Sequence, residues 1–179
     1  MSHLPIWFMG QLDLELCDKV VAELAVAEAK DATLGVDGAD TDLLTRKTKV
    51  RFADDGYWLE NVFAQQVAKA NKECGWEYHL TGSERVQFAE YGQDNHYAWH
   101  TDTFTLSGKP VDRKITVVCL LNDEFEGGEF EVRLYNDYKA GLQKGTIIAF
   151  PSILEHRVLP VVSGTRYSAT MWFNGPRFR

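Results

Sequence analysis

The apolar residues of this chain change their period near residue 84. Before that point, two long stretches place apolar positions three and four residues apart, the spacing that lines one face of a helix. In residues 12–32, "LDLELCDKVVAELAVAEAKDA", Leu16, Val20, Leu24 and Val26 recur at mostly helical spacing, with Glu and Lys on the other side. In residues 54–76, "DDGYWLENVFAQQVAKANKECGW", Leu59, Val62, Phe63 and Val67 form one stripe, with Asp54 or Asp55 as the expected cap. Between them a Gly- and Asp-rich loop leads into an expected strand near 47–53.

From residue 84 onward the runs are short and β-type, at 84–91, 96–104, 114–121, 128–135, 145–152, 155–162 and 165–173, with turn residues between them. Successive strands without intervening helices argue against a βαβ sheet and predict a sandwich or barrel. The expected fold class is therefore mainly β with N-terminal helices, an α+β arrangement in which both helices pack on one face of a sheet. A chain of 179 residues is expected to form one domain over 1–179. Within it, 1–83 serves as helical support and substrate-side segment, and 84–176 forms the β core.

Composition narrows the function classes. A formal net charge of −7 disfavours a nucleic-acid partner, because phosphate binding needs clustered Lys and Arg. The one basic cluster, "TRKTKVR" at 45–51, reads as a solvated strand edge. Cys17, Cys74 and Cys119 lack CxxC spacing, so neither a disulfide framework nor a zinc site is indicated, and Cys119 reads as a small buried hydrophobe. Reduced thiols, the missing basic-then-apolar leader and the absence of a long apolar span predict a cytoplasmic protein without a membrane partner. Nothing in the pattern assigns an oligomeric state.

Chemistry concentrates at "HYAWHTDTF", residues 96–104. His100 and Asp102 are two apart, so a strand would point both to one face. His-x-Asp alone is a weak signal. It gains weight from His156 in "FPSILEHRVLPV", since two histidines and a carboxylate with open positions are the ligand set of non-haem iron(II) oxygenases. Ten residues later, Arg166 and Ser168 share a strand face with Thr170 and Trp172. An arginine in so core-like a strand needs an anionic partner, because burying it alone is costly.

The ordered set His-x-Asp, Gly-Gly, His, Arg-x-Ser, with "KITVVCLLND" and "EGGEFEV" between, resembles the iron- and 2-oxoglutarate-dependent dioxygenases. The similarity covers about 84–176 and is greatest to the prolyl-4-hydroxylase-like branch, which includes bacterial and phage PKHD-type hydroxylases. It implies a double-stranded β-helix of the jelly-roll, cupin-like type. It also implies His100, Asp102 and His156 as Fe(II) ligands, Arg166 as partner of the distal carboxylate of 2-oxoglutarate, and Ser168 and Tyr91 as further cosubstrate contacts. Fe(II), with 2-oxoglutarate and O2 as cosubstrates and ascorbate as a reductant, follows from the same resemblance. So does the reaction: hydroxylation of an unactivated C–H bond in a small-molecule or peptidyl substrate, prolyl included, with release of succinate and CO2. If the chain is phage-encoded, its compartment is the host cytoplasm.

Two departures qualify the likeness. Leu120 stands near where collagen- and hypoxia-type prolyl hydroxylases tend to carry tyrosine. Trp172 stands where nucleic-acid demethylases carry a second arginine. Asp102 runs against halogenation, for which family members replace this carboxylate with a small residue. The competing reading is a non-catalytic cupin-like metal- or ligand-binding module in which Arg166 is structural.

Other residues receive plainer roles. His3, His79 and His96 are expected to have no part in metal binding, and Gly127 and Gly128 are expected to be turn residues with positive φ. Trp99 and Thr101 are expected to face away from the ligands as packing groups. Tyr97 and Phe104, with the loop 103–113, are candidates for a substrate wall or lid. Arg46 is an outside candidate for substrate contact.

Overall fold

Two antiparallel sheets face one another in the computed structural model, which describes residues 6–24, 28–32, 44–104 and 110–177. In chain order the strands are β1 (Phe8–Gln11), β2 (Lys30–Asp31), β3 (Arg46–Lys47), β4 (Lys49–Phe52), β5 (Gly82–Ser83), β6 (Gln87–Tyr91), β7 (His96–His100) and β8 (Val111–Leu120). They continue as β9 (Phe125–Gly127), β10 (Phe130–Arg133), β11 (Asp137–Lys139), β12 (Thr146–Pro151), β13 (Glu155–Val158), β14 (Val161–Gly164) and β15 (Arg166–Pro176). Helix α1 covers Leu14–Leu24 and helix α2 covers Trp58–Glu73. The larger sheet runs β1-β12-β8-β15-β6-β4-β2, with β5 also on β15. The smaller runs β11-β10-β13-β7-β3, and β14 pairs with β9 apart from both.

Alternation along the central strands divides the interior. On β8, Ile115, Val117 and Cys119 face the helices, and on β15 Ala169, Met171 and Phe173 do the same. Helix α2 answers with Leu59, Phe63, Val67 and Ala70, four or three residues apart and so on one stripe. Each large side chain buried there contributes roughly 1.5–3 kcal/mol. Val118, Ile148 and Phe150 face the smaller sheet and meet Phe130, Val132 and Val158 in a second cluster. Helices outside and a smaller sheet inside make this a double-stranded β-helix of the jelly-roll type, as the mainly-β expectation with helices on one face required.

Both helices are shorter than their periodicity predicts. Among the described residues of the 12–32 stretch, the helix covers Leu14–Leu24; Lys30 and Asp31 instead pair with Val50 and Lys49 at the sheet edge, so tertiary pairing overrides a good helical composition there. The 54–76 stretch begins its helix at Trp58. Asp54 and Asp55 lie ahead of Gly56, whose φ of +80° cannot continue a helix, and the capping position falls to Tyr57 with no side-chain cap. Tyr57 is instead fixed by its hydroxyl on Glu23 of α1.

Strand ends shift in the same way. The 84–91 run pairs only from Gln87, and Pro160 divides the 155–162 run into β13 and β14. The 47–53 strand is two short pieces, and its basic cluster is a solvated edge only in part: β3 ends the smaller sheet and Lys47 and Lys49 point outward, but Arg46, Thr48 and Val50 are buried. Strands β1 to β5 come from before residue 84, so that segment supplies sheet as well as helices. The Gly- and Asp-rich loop lies mostly outside the described residues, as does His3. All three cysteines are buried and free.

Candidate functional site

His100 and His156 are direct cross-strand partners on β7 and β13. Residues far apart in sequence thus meet with ring centroids 4.1 Å apart. Each ring donates Nδ1–H to the carbonyl two residues before it, His100 to Ala98 at 2.8 Å and His156 to Leu154 at 3.0 Å. A carbonyl only accepts, so both tautomers are set and both Nε2 lone pairs are left to bind a metal. Asp102 closes the triad, its carboxylate oxygens 3.7 Å from His100 Nε2 and 3.4 Å from His156 Nε2. One ligand atom from each of the three residues lies within 4.8 Å of the others.

Asp102 does not sit on the strand with His100, as its spacing alone predicts. Strand β7 ends at His100, and Asp102 is held in the following segment by two hydrogen bonds, one of them braced by a third. Its N–H donates to the Ser152 carbonyl at 3.0 Å, and Thr116 Oγ1 donates to Oδ2 at 2.8 Å while also meeting Ser152 Oγ at 2.9 Å. Burial opposes charge on this carboxyl, yet His156 and His100 beside it prevail and hold it well below the usual carboxylate range. His100 moves the other way: burial first, then the neighbouring His156, push its pKa down to about 3, so the ring is neutral at pH 7 and competent as a ligand. An anionic carboxylate with two imidazoles whose Nε2 atoms are free fits a ferrous ion.

A bulge shapes this end of β7. Tyr97 opposes Val158 while His100 opposes His156, so β7 carries one more residue between these pairs than β13. Tyr97 and His100 consequently share a face and stack, centroids 3.4 Å apart at 12°. Trp99 faces away, between the guanidinium groups of Arg133 and Arg157, as expected. Thr101 does not: it is exposed and lines the cavity, because the strand has already ended.

The triad opens into a cavity of about 470 Å³. Arg166, on β15, is 1% exposed, and Nη1 donates to Ser168 Oγ at 3.1 Å. Tyr91, its cross-strand partner on β6, places its ring 5.4 Å from the guanidinium. No carboxylate among the described residues pairs with Arg166, and its buried Nε has no hydrogen-bond partner. Burial lowers its pKa, but a guanidinium stays charged at any working pH. A buried cation with an orphaned N–H fits the carboxylate end of 2-oxoglutarate. Gly128, at φ +62°, lets the chain pass this arginine; a Cβ there would come within 3.0 Å of Arg166 Cδ.

Tyr91, Ser168, Thr170 and Trp172 all line the same cavity, and so do Tyr97 and Phe104 from the expected substrate wall. Residues 105–109 of the 103–113 loop lie outside the described residues; its near end is tied down by Asp112, which accepts from Thr103 Oγ1 and Phe104 N. His96 binds the Leu44 and Asp94 carbonyls, away from the triad. Gly127 and Gly128 adopt the positive φ expected of them.

Sequence reasoning missed two contributors. Thr116 was legible only as a lone hydroxyl inside an apolar strand. Arg113 forms a bidentate pair with Glu84 at 2.6 and 2.5 Å and lies over Trp172 at 3.8 Å, a pairing across 29 residues with no local signature.

Residues 86–174 match the family model of the 2OG-Fe(II) oxygenase superfamily, and the chain belongs to that superfamily. Among its curated relatives are PKHD-type hydroxylases, and prolyl-4-hydroxylases share its fold. A PKHD-type hydroxylase of a Picosynechococcus strain is 35% identical over 86 residues, covering 48% of this chain and 39% of that protein. The match therefore spans less than half of the curated relative. A prolyl-4-hydroxylase of Pseudomonas putida shares the fold with a TM-score of 0.75 at 22% identity, covering 96% of this chain and 93% of the other. A viral collagen prolyl hydroxylase of Paramecium bursaria Chlorella virus-1, in its 2OG complex, has a TM-score of 0.70 at 19% identity over 96% and 97% of the two chains. No helix among the described residues is long and apolar enough to cross a membrane.

Proposed function

We propose that this chain is a 2-oxoglutarate- and Fe(II)-dependent dioxygenase that hydroxylates an unactivated C–H bond of a small-molecule or peptidyl substrate. His100, Asp102 and His156 hold Fe(II), and Arg166 with Ser168 holds the distal carboxylate of 2-oxoglutarate. The carrying observation is that a buried guanidinium without a counter-ion and a two-histidine, one-carboxylate ligand set open into one cavity. When bound, the metal and cosubstrate supply the oxidising chemistry, with O2 consumed and succinate and CO2 released.

The chain's own residues prepare that chemistry. The Ala98 and Leu154 carbonyls keep both imidazoles in the ligating tautomer, and Thr116 with Ser152 fixes the carboxylate between them. Tyr91 packs against the Arg166 guanidinium, and Val118, Phe130 and Val158 give the floor an apolar lining that limits water. Ascorbate would keep the metal ferrous between turnovers. A cytoplasmic setting and a substrate other than nucleic acid complete the reading.

Anaerobic Fe(II) with 2-oxoglutarate should give a weak visible charge-transfer band, and in air a substrate screen should release succinate, with His100→Ala as the blank. Absence of both band and succinate in the wild type would favour a ligand-binding module over an enzyme.

A further inference from the structure

Three arginines line the cavity, and each is balanced differently. Arg113 has Glu84. Arg166, in the reading above, awaits the cosubstrate. Arg46 has neither: it is 8% exposed, its Nε is buried without a hydrogen-bond partner, and no carboxylate among the described residues pairs with it. Among the described residues its guanidinium carbon lies 4.5 Å from the Tyr97 ring, and that ring is stacked in turn on His100. Strand β3 carries Arg46 on the histidine-bearing sheet, whereas Arg166 comes from the opposite one, so the two cations flank the metal triad from different walls.

The charges in the cavity show what is missing. Among the described residues, Asp102 and Glu84 are the acidic groups lining it, against three guanidinium groups. A ferrous ion and a 2-oxoglutarate dianion cancel one another, so the loaded site keeps one unneutralised positive charge. Arg46 carries it, buried, where an unpaired ion is costly. Contact with the Tyr97 ring leaves the buried Nε–H of Arg46 without a hydrogen-bond partner, and a guanidinium matches a carboxylate with two parallel hydrogen bonds. A cavity of about 470 Å³, part of it taken by the cosubstrate, leaves room for a ligand of amino-acid size.

We infer that Arg46 is the substrate anchor, and that the substrate is a small molecule with a free carboxylate, such as a free amino acid. This rests on the cosubstrate reading of Arg166 and extends it. The test is a thermal-shift titration of the full chain loaded with Zn(II) and 2-oxoglutarate, using free L-amino acids as probes, each beside its methyl ester. At least one acid should raise the unfolding midpoint while its ester does not. Arg46→Gln should weaken that acid's apparent affinity about 10- to 100-fold, the range for losing a charge-assisted contact, and Arg46→Lys should weaken it less. Neither variant should alter the shift produced by 2-oxoglutarate alone. If the wild type shows no 2-oxoglutarate shift, both assignments fall. If that shift is intact, three results each overturn the Arg46 assignment alone: equal response to acid and ester, no acid-specific shift, or undiminished acid binding by Arg46→Gln.

Discussion

The two faces of strand β15 are built from alternate residues of one short sequence and do different work. Tyr167, Ala169, Met171 and Phe173 pack toward the helices in an apolar cluster. Arg166, Ser168, Thr170 and Trp172 line the cavity on the other side. Strand β8 repeats the division, with Ile115, Val117 and Cys119 against the helices and Thr116 and Val118 toward the site. The lesson is that stability and chemistry are separated by one residue, not by region. The helix face holds the sheet still, and the cavity face can then carry a buried cation and ligand-positioning hydroxyls that no apolar core would tolerate.

If that separation is real, substitutions on the two faces should move different observables. The largest effect is expected on the helix side. Phe63→Ala, which empties a fully buried site against the sheet, should cost about 3–5 kcal/mol in denaturant unfolding. The remaining folded protein should still give the Fe(II)–2-oxoglutarate band. Loss of the band at temperatures where the protein is folded would mean that the faces are coupled.

Next comes the cavity side. Arg166→Gln should raise the 2-oxoglutarate concentration needed for half-maximal band formation about 10- to 150-fold, equivalent to about 1.5–3 kcal/mol, the worth of a hydrogen bond to a charged group. Its unfolding midpoint should not fall, because the wild-type cation has no counter-ion among the described residues to lose. A strongly destabilised variant would instead make Arg166 structural. Smaller still, Thr116→Val keeps the shape and removes the donor to Asp102. Fe(II) affinity should drop about tenfold, the lower end of the range for a residue that orients a ligand. Unchanged affinity in a metal titration would show that the backbone bond from Asp102 N–H to the Ser152 carbonyl suffices to position the carboxylate.

The last effect is a pH dependence of the metal-free protein. In the unfolded chain His100 takes up a proton near pH 6.5, whereas in the fold burial and His156 delay that to about pH 3. The unfolded state therefore binds more protons in this window, and stability should decline as pH falls from about 6.5 toward 3. His100→Ala should flatten that slope in melting curves taken across the window. An equal slope in the variant would assign the decline to other groups.

Much of the site was readable in the linear chain. The spacing of His100, Asp102, His156, Arg166 and Ser168 carried the superfamily resemblance, and all five now line one cavity with Tyr91. Arg46 was named only as an outside candidate for substrate contact within a basic cluster, since burial of a charged residue leaves no mark on local periodicity. Thr116 and the Arg113–Glu84 pair were invisible for a related reason: their partners arrive through sheet pairing, which local pattern does not encode.

What the sequence determined by itself was the kind of architecture and a candidate ligand set. Alternating apolar runs can bury a face only in a β-structure, and a buried His-x-Asp, His, Arg-x-Ser series has few compatible chemistries. Where helix α1 gives way to an edge strand, how a bulge turns Tyr97 onto His100, and which arginine goes without a counter-ion were decided only in three dimensions. Each depends on contacts between residues distant along the chain, and those contacts exist only once both sheets have closed.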